Sequence, residues 1–253
     1  MKLSEKLMEA FNLKPHPNSR VQKALTEAGV PMTAELGRIL ALPRRPAVFE
    51  EGKVEDLTSV YLREGMHCKG CPVCRLGSPR LWPIQSGMLW DAERQNGLFA
   101  PVAVGAGKTL TTLLLPDAMK SKRAVLLIKP NLREQFWGRD VPNYGRHFHI
   151  AKCWKIDARW KSEVKLFEGE ADLFVVAYSE LSSAKQADIL DRIEPDLIIA
   201  DEAHHLRNRT ASRTKRFLRY MKEHPECRFV GLSGTMTKRS LYDFQHLIEQ
   251  VCQ

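Results

Sequence analysis

The sequence contains no apolar run long enough to cross a bilayer. Its uninterrupted apolar runs are about five residues long, as at Ala124 to Ile128, whereas a spanning helix needs roughly 18 or more. No membrane partner is therefore expected. A secretory leader is not expected either, because Glu5 and Glu9 break what would be its apolar stretch. Leu3, Leu7 and Phe11 instead mark one face of an amphipathic helix. Cysteine is sparse: six in 253 residues do not make the disulfide framework of a secreted protein, which points to a reducing cytoplasm. There is no internal repeat, no low-complexity tract and, before about residue 80, no strong strand.

What is present divides into two regions. With 43% hydrophobic residues the chain can bury a full core. Residues 1–80 read as a small, mainly helical accessory region of short patterns stopped by proline. Asn18 or Ser19 can cap a helix ending at Gly29 and Pro31, Thr33 can cap the next, and a third runs near Glu55 to Glu64. Residues 81–253 alternate short apolar runs with helical segments. The runs are Leu98 to Val104, Ala124 to Ile128, Leu173 to Ala177, Leu197 to Ala200 and Phe229 to Leu232, with a weaker one at Phe148 to Ile156. Strands apolar on both faces belong to a central, mostly parallel sheet covered by helices on two sides, so the expected fold class is α/β.

Two of these runs deliver chemistry. The first ends in Val104-Gly105-Ala106-Gly107-Lys108-Thr109 before a helical segment. Strand, glycine loop and helix make a phosphate-binding loop. Its backbone N–H groups and helix N-terminus attract polyphosphate, Lys108 reaches the β- and γ-phosphates, and Thr109 ligates Mg²⁺. Val102 stands where the general pattern has a first glycine. The fourth run ends in Asp201-Glu202-Ala203-His204. Adjacent carboxylates at the end of an apolar strand suit a nucleotide hydrolase, with Asp201 on the Mg²⁺ shell and Glu202 polarising the attacking water.

These residues, continued by His205-Leu206-Arg207-Asn208, resemble the DEAH box of Swi/Snf-like superfamily 2 helicases and translocases, in the compact form that phage-encoded helicases carry. Further segments follow in the family's order. Leu81-Trp82-Pro83-Ile84-Gln85 resembles the segment whose glutamine reads adenine. Lys129-Pro130-Asn131-Leu132 through Gln135 and Trp137 resembles motif Ia. Val176 to Leu181 is similar to motif Ib, and Leu232-Ser233-Gly234-Thr235 to motif III. The resemblance implies a RecA-like P-loop domain that binds ATP through Gln85, Gly105, Ala106, Gly107, Lys108, Thr109 and Asp201. It implies catalysis by Glu202, Asp201 and Lys108, coupling through His204, Ser233 and Thr235, and contact with nucleic acid (DNA rather than RNA) at Pro130 and Asn131; Arg207 and Arg209, in the basic run after the box, are the other candidates for that contact. Met236-Thr237 departs from the Swi/Snf pattern after motif III. Such motors use a second RecA-like domain to supply arginines to the site; none is read here, so the chain is expected to be a truncation or half of a split motor with weak activity alone.

Two features stand outside this frame. Cys68, Cys71 and Cys74, beside His67, have the spacing of a metal knuckle. Structural Zn²⁺ is the expected occupant, with His67 or another residue as fourth ligand; an iron–sulfur cluster and free thiols are the alternatives. The net charge of +9 favours an anionic partner, and a basic run holds Arg207, Arg209, Arg213, Lys215, Arg216, Arg219 and Lys222. On a helix these charges would spread round much of the circumference, as a solvated face or a phosphate-tracking surface. The function expected is a nucleic-acid-dependent ATPase, the motor domain of a DNA helicase or double-strand DNA translocase. A non-catalytic, nucleotide-gated binding module is the competing reading.

Overall fold

The computed structural model describes residues 51–63, 79–156, 172–234 and 241–251, all within one compact unit that begins at residue 49. His67, Cys68, Cys71, Cys74 and Thr235 lie outside the described residues, as do the helical patterns read before residue 50.

The apolar runs form six strands: β1 (Leu98–Pro101), β2 (Arg123–Ile128), β3 (Lys152–Lys155), β4 (Asp172–Ala177), β5 (Leu197–Asp201) and β6 (Arg228–Ser233). They make one sheet in the order β1-β6-β5-β2-β4-β3, and every pairing is parallel rather than mostly so. The strand expected within Phe148 to Ile156 is the four-residue edge strand β3. The first run is shorter than its apolar pattern suggested. It leaves the strand after Pro101, although the Val102 N–H still donates to the Ser233 carbonyl at 3.0 Å.

Alternation along these strands divides the core in two. Ala124, Leu126, Leu173, Val175, Leu197, Ile199, Val230 and Leu232 face one cluster. Val125, Leu127, Phe174, Val176, Ile198, Ala200 and Phe229 face the other. Successive side chains on a strand point to opposite faces, so runs apolar at every position require cover on both. The first face is covered by α1 (Glu51–Tyr61), α2 (Pro83–Gln95), α3 (Lys108–Ala118) and the helical stretch ending in α4 (Val141–His147). The second is covered by α5 (Tyr178–Ser182), α6 (Ile189–Ile193) and α7 (Ser212–Glu223). Thr58 on α1 accepts the Leu81 N–H at 3.1 Å, so α1 is tied to the start of α2.

Because all strands run the same way, the loops leaving β1, β2, β4, β5 and β6 gather at one edge of the sheet. In open α/β sheets this carboxyl-end edge is where ligands bind.

Candidate nucleotide site

The loop between β1 and α3 turns through two left-handed glycines, Gly105 at φ 86° and Gly107 at φ 75°. Gly107 is also the N-cap of α3. A Cβ there would stand 2.1 Å from the Gln85 amide nitrogen, so glycine is required by both backbone and space. Gln85 approaches because its side chain joins two elements. Its Nε2 donates to the Gly107 carbonyl at 3.1 Å, and its Oε1 accepts the Trp82 N–H at 2.7 Å. The second bond is half of a helix capping box, with Pro83 in the first turn of α2. Gln85 is only 4% exposed. It is a buried tie between α2 and the loop, not a surface glutamine.

Lys108, in the first turn of α3, is buried. Its Nζ lies 3.2 Å from the carbonyls of Val102 and Ala103 and 3.8 Å from Glu202 Oε1. Thr109 is half-buried beside it.

β5 brings the acidic pair to the same edge. The Asp201 carboxyl is pushed up to about 6, chiefly by burial and then by the Glu202 charge; Lys108 and Lys129 pull the other way. Its Oδ1 is buried with no hydrogen-bond partner among the described residues. Burying a carboxylate oxygen unpaired is costly, and a hard cation in an oxygen shell is what would satisfy it. The residues therefore fit Mg²⁺, with Asp201 and Thr109 as the side chains that would hold it.

Glu202 departs from the strand in a left-handed conformation, φ 60° and ψ 54°. Such a conformation in a non-glycine residue is uncommon and costs about 1–3 kcal/mol. The turn aims its carboxylate back across the edge. Oε1 faces Lys108, while Oε2 lies 3.1 Å from His204 Nδ1 and accepts the Ser233 hydroxyl at 3.3 Å. His204 Nδ1 is also 3.0 Å from Ser233 Oγ, an arrangement met by a proton on Nδ1. Burial lowers the His204 pKa, partly offset by Glu202, which favours the neutral ring. Ser233 ends β6, the strand between β1 and β5 in the sheet. Three segments distant in sequence thus meet: the glycine loop, the acidic pair and the Ser233 turn.

His205 lies behind them. Its ring centroid is 4.9 Å from that of Tyr178 and 4.5 Å from that of His204, and its pKa is pushed down to about 4, first by burial and then because a second charged imidazole beside His204 is disfavoured. The Tyr178 hydroxyl donates to the Asp201 carbonyl at 2.9 Å. Sequence reasoning missed this support for the acidic turn.

The expected nucleic-acid residues Pro130 and Asn131 are exposed at the exit of β2, and Arg207 and Arg209 are exposed after β5. Of the basic run, Arg207, Arg209, Lys215, Arg219 and Lys222 are exposed, and Arg213 and Arg216 are half-buried. Along α7 the buried residues are Thr214, Phe217, Tyr220 and Met221, one helical stripe, with the two half-buried arginines beside it. Arg213 donates to the His205 carbonyl at 2.7 Å. Arg216 donates to the carbonyls of Leu181 and Ser183 at 2.7 and 2.6 Å, and Arg219 pairs with Asp191. Lys215 and Lys222 are the exposed lysines of this helix.

Among the described residues no group of three or more His, Cys, Asp or Glu side chains could hold a metal ion, and no helix is long and apolar enough to cross a membrane. The sequence profile of the family described as type III restriction enzyme, res subunit, matches residues 75–238. No curated protein matches the chain.

Proposed function

Because the chain belongs to the type III restriction enzyme res subunit family and carries a superfamily 2 helicase-like, RecA-type ATPase domain at residues 75–238, we propose that it is the ATP-hydrolysing motor domain of a DNA helicase or double-strand DNA translocase. The observation that supports this most is the meeting of Lys108, Glu202, His204 and Ser233 at the carboxyl edge of the sheet. A module that only bound nucleotide would have no use for a carboxylate so oriented.

In this reading the glycine loop and Lys108 bind the polyphosphate, and Gln85 fixes the loop beside the base. Glu202 accepts the proton of the attacking water. His204 and Ser233 hold its Oε2, leaving Oε1 turned toward the loop. Asp201 and Thr109 would hold Mg²⁺, which when bound screens the charge of the phosphates. Exposed Pro130, Asn131, Arg207 and Arg209 contact nucleic-acid phosphates, a mode of binding that carries no sequence information by itself. A second RecA-like unit, in the same polypeptide or another, supplies the arginine that stabilises the transferring phosphoryl group.

Steady-state phosphate release, with and without duplex DNA, tests the proposal. DNA should accelerate release, and a complementary second unit should raise it by roughly a thousandfold or more. Glu202→Gln should abolish turnover yet retain ATP, since it removes the water's partner and no phosphate contact, whereas Lys108→Ala should lose ATP itself. Equal, DNA-insensitive release by the wild type and Glu202→Gln would leave a nucleotide-gated binding module in the motor's place.

A further inference from the structure

The exits of β2, β4 and β3 are neighbours, because these strands are adjacent in the sheet. One guanidinium joins all three. Arg133 opens the helical turn Arg133–Gln135 just after β2. Its Nη1 donates to Glu180 Oε1 at 2.7 Å and its Nη2 to the Ile156 carbonyl at 2.9 Å. Glu180 follows β4, and Ile156 follows β3. The other carboxylate oxygen of Glu180 accepts the Ala177 N–H at 2.7 Å, which caps α5 and fixes the carboxylate against the end of its own strand. Both side chains are about four-fifths covered, at 23% and 21% exposure. A partly desolvated pair with directional hydrogen bonds is stronger than a surface ion pair. The same loops carry exposed residues: Pro130 and Asn131 precede Arg133 in the chain, and Ser179 precedes Glu180.

We propose that Arg133 and Glu180 are positioning residues for nucleic acid: their ion pair braces the exit loops of β2, β3 and β4 into one rigid surface for the phosphate backbone. This rests on the nucleic-acid reading above. Neither side chain is itself the phosphate contact. Arginine is required because its planar fork makes two bonds in fixed directions, which the point charge of lysine cannot.

Duplex-DNA affinity measured by fluorescence anisotropy on the full chain, alongside ATP affinity and thermal melting, tests the brace. Arg133→Met should weaken DNA binding about tenfold, in keeping with the loss of a charge-assisted hydrogen bond. Glu180→Gln is the sharper variant. It makes the protein more positive, so bulk electrostatics alone would tighten DNA binding, whereas a loosened brace weakens it. The double variant should bind no worse than the weaker single, since both changes break one interaction. Arg133→Lys should recover only part of the loss, and ATP affinity should stay at the wild-type value throughout. Tighter or unchanged binding by Glu180→Gln, additive losses, or a matching fall in ATP affinity would each overturn the brace while leaving the motor reading intact. Failure of the wild-type protein to bind any nucleic acid would remove both.

Discussion

Asp201 carries the sharpest conflict between stability and chemistry. Its carboxyl titrates near 6 in the fold against about 3.9 in an unfolded chain. The folded state therefore binds the proton more tightly, and its stability falls as pH rises from about 4 through 6. Below that window the group is neutral in both states and the penalty vanishes. Asp201→Asn should accordingly raise stability at pH 8 by about 1–3 kcal/mol while removing Mg²⁺-dependent nucleotide binding. Melting curves at pH 8 and pH 4 check this: the gain should be present at the first and lost at the second. Glu202 shows the same trade in its backbone, since its left-handed φ of 60° is what swings the carboxylate toward Lys108. Neither feature is written in the letters Asp201-Glu202. The pair could be recognised from its place after an apolar run, but its burial and turn come from distant segments, with β6 and β2 on either side of its strand and Lys108 of the glycine loop facing Glu202.

Among the elements, α7 separates two roles that its sequence merges. Arg216 satisfies two carbonyls at the end of α5, so Arg216→Ala leaves both without that donor and should cost about 2 kcal/mol. Lys215→Ala, one residue away and exposed, should stay within about 0.5 kcal/mol. Urea unfolding of the two variants makes the comparison. The basic run looked uniform in sequence because charge does not record what a guanidinium touches; only the stripe of Thr214, Phe217, Tyr220 and Met221 decides which arginines turn inward. The strands were far more legible, since runs apolar at every position admit little besides a sheet covered on both faces. Their ends were not. Pro101 closes β1 although the apolar pattern continues to Val104, because the glycine loop takes those residues for its turn. Glu180 was read only as part of the segment resembling motif Ib: its cap on the Ala177 N–H lacks the Ser or Thr that would announce it, and its pairing with Arg133 depends on neighbouring strands and on no local pattern.

At the scale of the whole molecule, the described unit begins at residue 49, so α1 is packed with the sheet. The cysteine knuckle stands as a reading from spacing. If Cys68, Cys71 and Cys74 bind structural zinc, elemental analysis of the purified protein should find close to one equivalent, and Cys71→Ser should lower both that content and the melting temperature, because such a site contributes directly to folding. Metal-free protein of unchanged melting temperature would favour free thiols.

The order β1-β6-β5-β2-β4-β3 also bears on how the protein comes into being on the ribosome. β1 is among the first of the strands to be synthesised, yet its one neighbour in the described sheet is β6, with Leu98 opposite Val230. Pairings so distant along the chain form late. The glycine loop that leaves β1 therefore emerges long before the strand that steadies it, and Ser233, which must reach Glu202, arrives with that same strand. A nascent chain stopped ahead of β6 would display the whole Gly105 to Thr109 segment without the strand that steadies it, so this edge of the sheet is assembled only once β6 has been made.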